Sequence, residues 1–234
     1  MSPSSTSVTS SRTLWLVRHG ESTWNTLGLT QGHNNQAELT TLGLRQAEQV
    51  AEQFAGITVR AIYSSDLRRA QQTAAPLAAA AGLPVVLDAR LRERSLGVLE
   101  GTPAAGNGSS VTGLDLEAGL LVDPDTRPQS GESVRDLYRR AAAFCDDLLL
   151  ALPMAKTGIA SDARAAVPAR GDDPPEPPAG PDGDVVVVAH GGTLRVLRAY
   201  LSGVPAERMD WAPLPNATVL EFPDFGVTTP EGAR

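Results

Sequence analysis

The chain has 234 residues, of which 41% are hydrophobic, and it carries a formal net charge of −7 with a pI near 5.0. This length allows one large domain or two small ones with a sizeable core, and nothing in the pattern requires two. The acidic balance argues against a surface for nucleic acid or an anionic membrane, because phosphate groups select basic faces. A single cysteine, Cys145, excludes an intramolecular disulfide and a cysteine-based zinc site, which favours a reducing compartment.

The first eleven residues predict a disordered N-terminal tail. They are rich in Ser and Thr and contain no long apolar run, so they resemble neither a signal peptide nor a membrane anchor, and the expected location is the cytoplasm. A buried strand is predicted from about Thr13, and it ends at Arg18, His19 and Gly20. The polar connection over 28–35 has the turn residues of a loop above the end of a sheet.

Two helices and two strands are predicted next. Thr40 or Thr41 can cap a helix in which apolar residues recur at helical spacing until Gly56, and a strand follows over 59–63. Residues 64–66 are expected to cap a second helix, which ends at Gly82.

Pro76 lies inside the second predicted helix, where it predicts a kink or a local irregularity. Residues 84–87 predict a short strand after that helix. A segment over 102–130, rich in Gly, Ser, Thr and Pro, indicates an excursion that caps a site, and we assign this cap to 94–130. Residues 131–133 then open a long amphipathic helix that Pro153 ends.

The segment 154–183 predicts a disordered insertion, because it contains the run Pro-Pro-Glu-Pro-Pro and few bulky apolar residues. A docking segment for a proline-binding partner is the alternative, although no full P-x-x-P recognition context is present. Two last strands are predicted, at the valine run 185–188 and at 216–222, and residues 224–234 predict a C-terminal tail. Strands alternating with helices predict an α/β fold within a domain over 12–223, in which a mostly parallel sheet is covered by helices on both faces as a three-layer α/β/α sandwich.

Two of the predicted strands end in a histidine followed by glycine, at His19 and at His190. An isolated histidine at a strand end is more simply a hydrogen-bonded structural residue. Because parallel strands of one sheet place ligands at their carboxyl ends, two such histidines indicate one site.

The residues around these histidines resemble a known family. The sequence R-H-G-E-S at 18–22 with Trp24 and Asn25, and A-H-G-G at 189–192, are similar to motifs of the histidine phosphatase superfamily, which includes cofactor-dependent phosphoglycerate mutases. The segment 65–73, S-D-L-R-R-A-Q-Q-T, resembles the family pattern S-x-L-x-R-A-x-x-T. The resemblance covers about 12–222 in the family's order, apart from the proline-rich segment.

This resemblance implies roles in phosphoryl transfer. His19 is expected to attack phosphorus through a neutral ring nitrogen and to form a phosphohistidine, while its other nitrogen donates to a fixed acceptor, a nearby backbone carbonyl. Arg18 and Arg69 are expected to hold the phosphoryl oxygens. Without the surrounding pattern, Arg68 and Arg69 would indicate a solvated helix face. His190 is expected to donate a hydrogen bond to the same oxygens.

Further residues are expected on the substrate side. Asn25 matches a family ligand of the phosphoryl oxygens, and Gln31 and Gly32 lie in the loop where the family contacts substrate. The backbone at Gly191 begins a helix whose N–H groups can face an anion. For Ser22, a contact with substrate and a helix-capping hydroxyl are equally supported.

Glu93 aligns with the family acid that protonates the leaving oxygen and then activates water. The family phosphatases often carry an aromatic residue before the Glu-Gly at 100–101, whereas this chain has Val98 and Leu99, a departure that concerns the pocket wall and leaves Glu93 in place. Glu21 is expected to be structural. His33 is the only other histidine, and no metal-ligand spacing accompanies it, so neither a metal nor another cofactor is expected.

The leading hypothesis is a metal-independent phosphomonoesterase that acts on a small phosphorylated metabolite, with no nucleic-acid or membrane partner, as a monomer or homodimer. A mutase of the same family is the first alternative, but it needs basic residues in the excursion for a bisphosphate. The excursion contains one basic residue, Arg127, and four acidic residues, Asp115, Glu117, Asp123 and Asp125, so its charge would repel a bisphosphate. A non-catalytic phosphate-binding protein is the other alternative, although every core group and the acid are present.

Overall fold

The computed structural model describes residues 12–104, 123–151 and 183–225, together with the backbone of two short strands at 116–117 and 120–121. Its strands are β1 (Leu14–Arg18), β2 (Val59–Ser64), β3 (Val85–Leu87), β4 (Leu116–Glu117), β5 (Leu120–Leu121), β6 (Asp184–Ala189) and β7 (Val219–Phe222). Its α-helices are α1 (Thr23–Thr26), α2 (Thr41–Gln53), α3 (Arg68–Ala81), α4 (Val134–Ala151) and α5 (Gly191–Leu201). Single 3-10 turns occur at Ala89–Leu91, Gly97–Leu99 and Ala206–Arg208.

Five strands form the main sheet, in the order β3-β2-β6-β1-β7. In the centre, Val187 of β6 pairs with Tyr63 of β2 and with Leu16 of β1, and both pairings are parallel. The edge strand β7 runs antiparallel to β1. The predicted mostly parallel sheet is therefore confirmed, and its topology brings the carboxyl ends of β1, β2 and β6 to one edge.

The valine run of β6 is buried on both faces of the sheet. Val185 and Val187 belong to an apolar core formed with α4 and α5, whereas Val186 and Val188 belong to a second core formed with α2 and α3. Successive side chains of a strand point to opposite faces, so a strand between two helical layers needs an unbroken apolar run. This arrangement is the predicted three-layer α/β/α sandwich.

The helix that carries Arg69 begins differently from the prediction. The N-cap residue of α3 is Leu67, which makes no side-chain capping hydrogen bond. The hydroxyl of Ser65 accepts from the Leu67 N–H at 3.2 Å, before the first residue of the helix. The carboxylate of Asp66 is instead paired with Arg92. The expectation that 64–66 cap the helix through their side chains was therefore wrong. The helix continues through Pro76 and ends at Gly82, whose φ of +66° suits glycine.

The last strand is shorter than the predicted 216–222. Asn216 and Ala217 lie in a turn, where Ala217 has a φ of +58°, and pairing with β1 begins at Val219. Phe225 is buried, and its N–H donates to the Arg12 carbonyl at 2.7 Å, so the ordered fold reaches two residues beyond the predicted boundary at 223.

The predicted tail over 1–11, almost all of the insertion 154–183 and residues 226–234 lie outside the described residues. Of the predicted cap over 94–130, β4 and β5 form a two-stranded antiparallel sheet. The start of the cap joins the loop after α1, since Gly101 N–H donates to the Thr30 carbonyl at 2.8 Å and Ala104 N–H to the Gly28 carbonyl at 2.7 Å. Among the described residues, every helix is too short or too polar to cross a membrane.

Candidate active site

The carboxyl ends of β1 and β6 and the start of α3 face a cavity of about 490 Å³. Six of the predicted site residues line it: Arg18, His19, Gln31, Gly32, Arg69 and Glu93. They come from separate parts of the chain, and the parallel topology of the sheet brings them together.

His19 follows β1 directly and is only 3% exposed. Its Nδ1 lies 2.7 Å from the carbonyl oxygen of Gly20. A carbonyl only accepts hydrogen bonds, so Nδ1 carries the ring proton and Nε2 carries the lone pair. Burial, followed by the guanidinium groups of Arg69 and Arg18, holds the pKa of His19 well below its usual range. The side chain is therefore a neutral imidazole.

His190 follows β6 and is fully buried, with its ring centroid 5.1 Å from that of His19. Its Nε2 lies 2.9 Å from Ser65 Oγ, at the end of β2. A hydroxyl has one proton and two lone pairs, so Ser65 Oγ can accept from the Leu67 N–H and donate to His190 Nε2; in that arrangement the ring proton is on Nδ1. Within the described part of the chain, Nδ1 is buried without a hydrogen-bond partner. Burial, followed by Arg69, lowers the pKa of His190 well below its usual range.

Arg18 and Arg195 both lie close to Gly191. A Cβ at Gly191 would come 3.1 Å from Arg195 Nη1 and 3.5 Å from Arg18 Nε. Arg18 donates to the carbonyl of Leu214, and its buried Nε has no partner among the described residues. Burial lowers the pKa of both arginines from its ordinary value, and the charge of Arg195 lowers that of Arg18 further. Both remain cations at neutral pH, so this wall favours an anion.

The two arginines of the 65–73 pattern point to different surroundings. Arg69 is 1% exposed, donates to the carbonyls of Asn34 and Gly32 at 2.9 and 2.8 Å, and has a buried Nε without a partner among the residues described. Burial lowers its pKa to about 10. The side chain of Arg68 is 57% exposed and pairs with Glu38. Arg69 is thus the arginine of this pair that lines the cavity.

Glu93 is held by two backbone N–H groups. Its Oε1 accepts from Arg94 at 2.8 Å and its Oε2 accepts from Gly192 at 2.9 Å. A Cβ at Gly192 would lie only 2.3 Å from Oε1, so only glycine allows this approach. The N–H of Gly192 therefore binds Glu93. The expectation that the N–H groups at the start of this helix face an anion is wrong for Gly192.

Asn25 and Ser22 form a capping box at α1. Ser22 Oγ accepts from the Asn25 N–H at 3.2 Å, and Asn25 Oδ1 accepts from the Ser22 N–H at 3.0 Å and from Asn216 Nδ2 at 3.2 Å. These bonds use Oδ1, so Nδ2 is the end of the amide that can donate to an anion. Neither side chain is part of the cavity wall. The Ser22 hydroxyl also donates to Gln31 Oε1 at 3.1 Å, and this bond connects α1 to the wall of the cavity.

Sequence reasoning missed several residues of the site. Arg94, Arg195 and Trp211 line the cavity, and the Arg195 guanidinium lies 5.6 Å from the Trp211 ring centroid. Ser65 and Thr73 support the histidines, since Thr73 Oγ1 accepts from the Gly20 N–H at 3.0 Å. Ser65 and Thr73 are fixed positions of the quoted 65–73 pattern, and Arg195 lies one helical turn after Gly191, so those signals were present. Trp211 lies in an irregular loop without such a signal.

The charged residues described within 105–130 lie away from the cavity. Arg127 pairs with Asp136, and Asp125 pairs with Arg135, all outside the cavity wall. Glu21 accepts from Thr40 Oγ1 at 2.7 Å, at the start of α2, which is a structural contact. Among the described residues, no group of three or more His, Cys, Asp or Glu could hold a metal ion. His33 instead donates its backbone N–H to Glu100 at 2.9 Å.

Comparisons with known proteins agree on one family. The model of the histidine phosphatase superfamily (branch 1) matches residues 14–162 and 178–224. A probable phosphoglycerate mutase, GpmB, of Yersinia pestis is 35% identical over 196 residues, which cover 82% of this chain and 76% of that protein.

Solved structures are similar over most of the chain as well. The mycobacterial glucosyl-3-phosphoglycerate phosphatase is 31% identical, with a TM-score of 0.70 over 90% of this chain and 92% of that one. Phosphoserine phosphatase of Entamoeba histolytica, at 24% identity, shares the fold, with a TM-score of 0.63 over 90% of both chains. With its two histidines at adjacent strand ends and a family model that matches most of its length, the chain belongs to the histidine phosphatase superfamily.

Proposed function

We propose that this chain is a metal-independent phosphomonoesterase that transfers the phosphoryl group of a small metabolite to His19 and then to water. The observation that carries the proposal is the state of His19: its Nδ1 is hydrogen-bonded to the Gly20 carbonyl, which leaves the lone pair on Nε2, and burial and the charges of Arg69 and Arg18 keep the ring neutral by lowering its pKa. A neutral nucleophile in a cationic cavity suits an anionic phosphate ester.

In the first step, the Nε2 lone pair of His19 forms a bond to phosphorus as the bond from phosphorus to the ester oxygen breaks. Arg18, Arg69 and His190 donate to the three equatorial oxygens, through the donors that have no partner in the described structure. Glu93, in its protonated form, gives its proton to the leaving oxygen, and the alcohol departs. The ring proton stays on Nδ1 throughout, where it is donated to the Gly20 carbonyl.

In the second step, Glu93 accepts a proton from water as the water oxygen attacks the phosphohistidine. The bond between Nε2 and phosphorus breaks, inorganic phosphate leaves, and His19 returns to its neutral form with Glu93 protonated again. The backbone N–H groups of Arg94 and Gly192 hold the Glu93 carboxylate in place for both steps. One acid-base residue therefore serves both steps.

Both a phosphatase and a mutase can form this intermediate. They differ in the acceptor of the phosphoryl group, which is water in a phosphatase and a second substrate hydroxyl in a mutase. The similar proteins differ in the activity that their names state, since one is called a phosphatase and another a probable mutase. Arg94, at the start of the cap, and Arg195 add positive charge to the cavity wall. We favour water as the acceptor, because Arg127, the one basic residue of 102–130, pairs with Asp136 outside the cavity wall and is not available to a second phosphate.

Within this proposal the enzyme acts in the cytoplasm on its small substrate alone, as a monomer or homodimer, with no nucleic acid, membrane or cofactor. The single thiol is consistent with that location. Cys145 is buried, and burial raises its pKa to about 12, so it remains a thiol and takes no part in the chemistry.

The test is a phosphoenzyme trap. Purified protein is mixed with a radiolabelled phosphate ester chosen from a phosphometabolite panel, and the reaction is stopped without acid, because phosphohistidine is acid-labile. His19→Ala should carry no label, whereas Arg68→Ala, a control at an exposed side chain outside the cavity wall, should carry the wild-type amount. Label in His19→Ala would refute the nucleophile. Bisphosphate-dependent conversion of 3-phosphoglycerate to 2-phosphoglycerate, faster than phosphate release from every panel member, would favour a mutase.

A further inference from the structure

The proposed acid, Glu93, is carried by a segment with no regular structure of its own. It lies between the 3-10 turns at 89–91 and 97–99, outside the strands of the sheet. Strand and helix bonds fix the backbone of His19 and His190 on the neighbouring elements. The backbone at 90–95 needs other partners, because a catalytic carboxylate must hold its position to within a fraction of an ångström.

Arg140, on α4, supplies most of these partners. Its Nη1 donates to the carbonyls of Arg90 and Arg92, at 2.7 Å each, and its Nη2 donates to the carbonyl of Glu93 at 2.7 Å. Its remaining N–H groups bind Glu132, from Nε to Oε1 at 2.9 Å and from Nη2 to Oε2 at 2.8 Å. A guanidinium has five N–H donors, and all five are used here, so Arg140 has no donor left for a substrate.

Glu132 and α5 complete the support of the segment. Glu132 Oε2 accepts from the Ser95 N–H at 2.9 Å, so the pair formed by Arg140 and Glu132 binds the backbone on both sides of Glu93. Thr193 Oγ1 donates to the Arg92 carbonyl at 2.7 Å. The side chains of Arg140 and Glu132 are 17% and 23% exposed, which limits competition from water.

We infer that Arg140, together with Glu132, is a positioning residue that sets where the Glu93 carboxylate stands over the cavity. This inference rests on the proposed function, in which Glu93 protonates the leaving oxygen. Arginine is required because its planar fork binds several carbonyls in fixed directions, and an ammonium group cannot reproduce that geometry. Proton transfer needs the acid within hydrogen-bond reach of the leaving oxygen, and a displacement of about 1 Å can cost on the order of a hundredfold in rate.

The experiment uses the dependence on the leaving group. We expect Arg140→Lys and Arg140→Gln to lower kcat/KM for an alkyl phosphate such as glycerol 1-phosphate by about a hundredfold, because an alkoxide cannot leave without a proton. For p-nitrophenyl phosphate the fall should stay within about fivefold, because nitrophenolate leaves unprotonated. The parameter kcat/KM reports the phosphorylation step alone, so slower hydrolysis of the phosphoenzyme does not confuse the comparison.

The matched control is Arg139→Gln, on the same helix. The Arg139 side chain is 69% exposed, and in the described part of the chain its ion pair is with Asp136, at 3.6 Å, so both rates should remain at the wild-type level. In a Glu93→Gln background, Arg140→Lys should cause no further loss on the alkyl ester, because the two substitutions remove the same step.

Two results would overturn the inference while leaving the proposed function in place: an equal fall on both esters, or losses that add in the double variant. If the Arg140 variants do not fold, Glu132→Gln removes one partner of the same network, and its ratio of the two rates decides in the same way. A wild-type protein that hydrolyses neither ester, nor any member of the panel, would refute the proposed function itself and with it the role of Arg140.

Discussion

The two buried histidines should make the free energy of unfolding depend on pH near neutrality. Burial holds the pKa of His19 and His190 well below the usual range, so neither takes up a proton in the folded chain until the pH is low. In the unfolded chain both regain a pKa of about 6.5, so the unfolded state binds protons that the folded state cannot. Stability should therefore be complete above pH 6.5 and fall below it.

The size of this effect follows from the linkage relation. Between pH 7.5 and pH 5.5, a histidine with an unfolded pKa of about 6.5 that stays neutral in the folded chain costs about 1.4 kcal/mol of stability. The two histidines together cost roughly 2.7 kcal/mol. His33, whose pKa is also lowered by burial, adds a smaller loss of the same sign. Carboxylates with a lowered pKa, such as Asp66 and Glu132, lose their contribution only at a more acidic pH, outside this window.

Urea unfolding followed by circular dichroism at the two pH values measures the difference. Wild-type protein should be less stable at pH 5.5 by about 3 kcal/mol, and His19→Asn or His190→Asn should each reduce that pH difference by about 1.4 kcal/mol. The difference is read within each variant, so a loss of packing that is independent of pH cancels. Two results would refute the neutral, buried state of these side chains. One is equal stability of the wild type at both pH values, and the other is an undiminished pH difference in stability when His19→Asn and His190→Asn are combined.

Two further predictions concern residues that contact the cavity. Gly192→Ala places a Cβ 2.3 Å from Glu93 Oε1, which must move by about 1 Å to restore contact, so kcat/KM on an alkyl phosphate should fall about a hundredfold, with little further loss in a Glu93→Gln background. Full activity in Gly192→Ala would show that the carboxylate has another productive position. Arg69→Ala should lower kcat/KM at least a hundredfold, whereas Arg68→Ala, at the exposed neighbour, should stay within about threefold. The reverse order in steady-state assays would move the phosphate contact to Arg68.

The sheet and the two histidines could be predicted because their signals are local. An unbroken apolar run that ends in His-Gly identifies a buried parallel strand and its functional end, and β1 and β6 follow this pattern within one residue. The start of α3 could not be predicted in the same way. Asp66 has the chemistry of a helix cap, but a tertiary ion pair with Arg92 takes its carboxylate. Local capping preferences are worth about 1 kcal/mol, which such a contact can exceed.

The contacts that support the site from distant parts of the chain could not be predicted from the sequence. Arg140 lies in an amphipathic helix, where an arginine normally indicates a solvated face, yet it binds carbonyls that lie 47 to 50 positions earlier in the chain. Gly32 gives a related case. Its φ of +50° and the approach of Glu100, 2.2 Å from where a Cβ would be, explain the glycine, but the partner is 68 positions away. Pairings of this kind depend on how loops fold together, and no periodicity encodes them.

The strand order explains why residues so far apart can form one site without adjustment. β6 lies between β1 and β2, and the register aligns Arg18 with Ala189 and Ser64 with Val188. The next residues after Arg18 and Ala189 are His19 and His190, which are therefore brought to the same level at the sheet edge, while Ser65 follows Ser64 at the level of Ala189. Successive side chains of a strand alternate between faces, so a slip of one residue in β6 would turn His190 away and also exchange the valines between the two cores. The packing of the valine run thus fixes the register, and the register places the two histidine rings 5.1 Å apart.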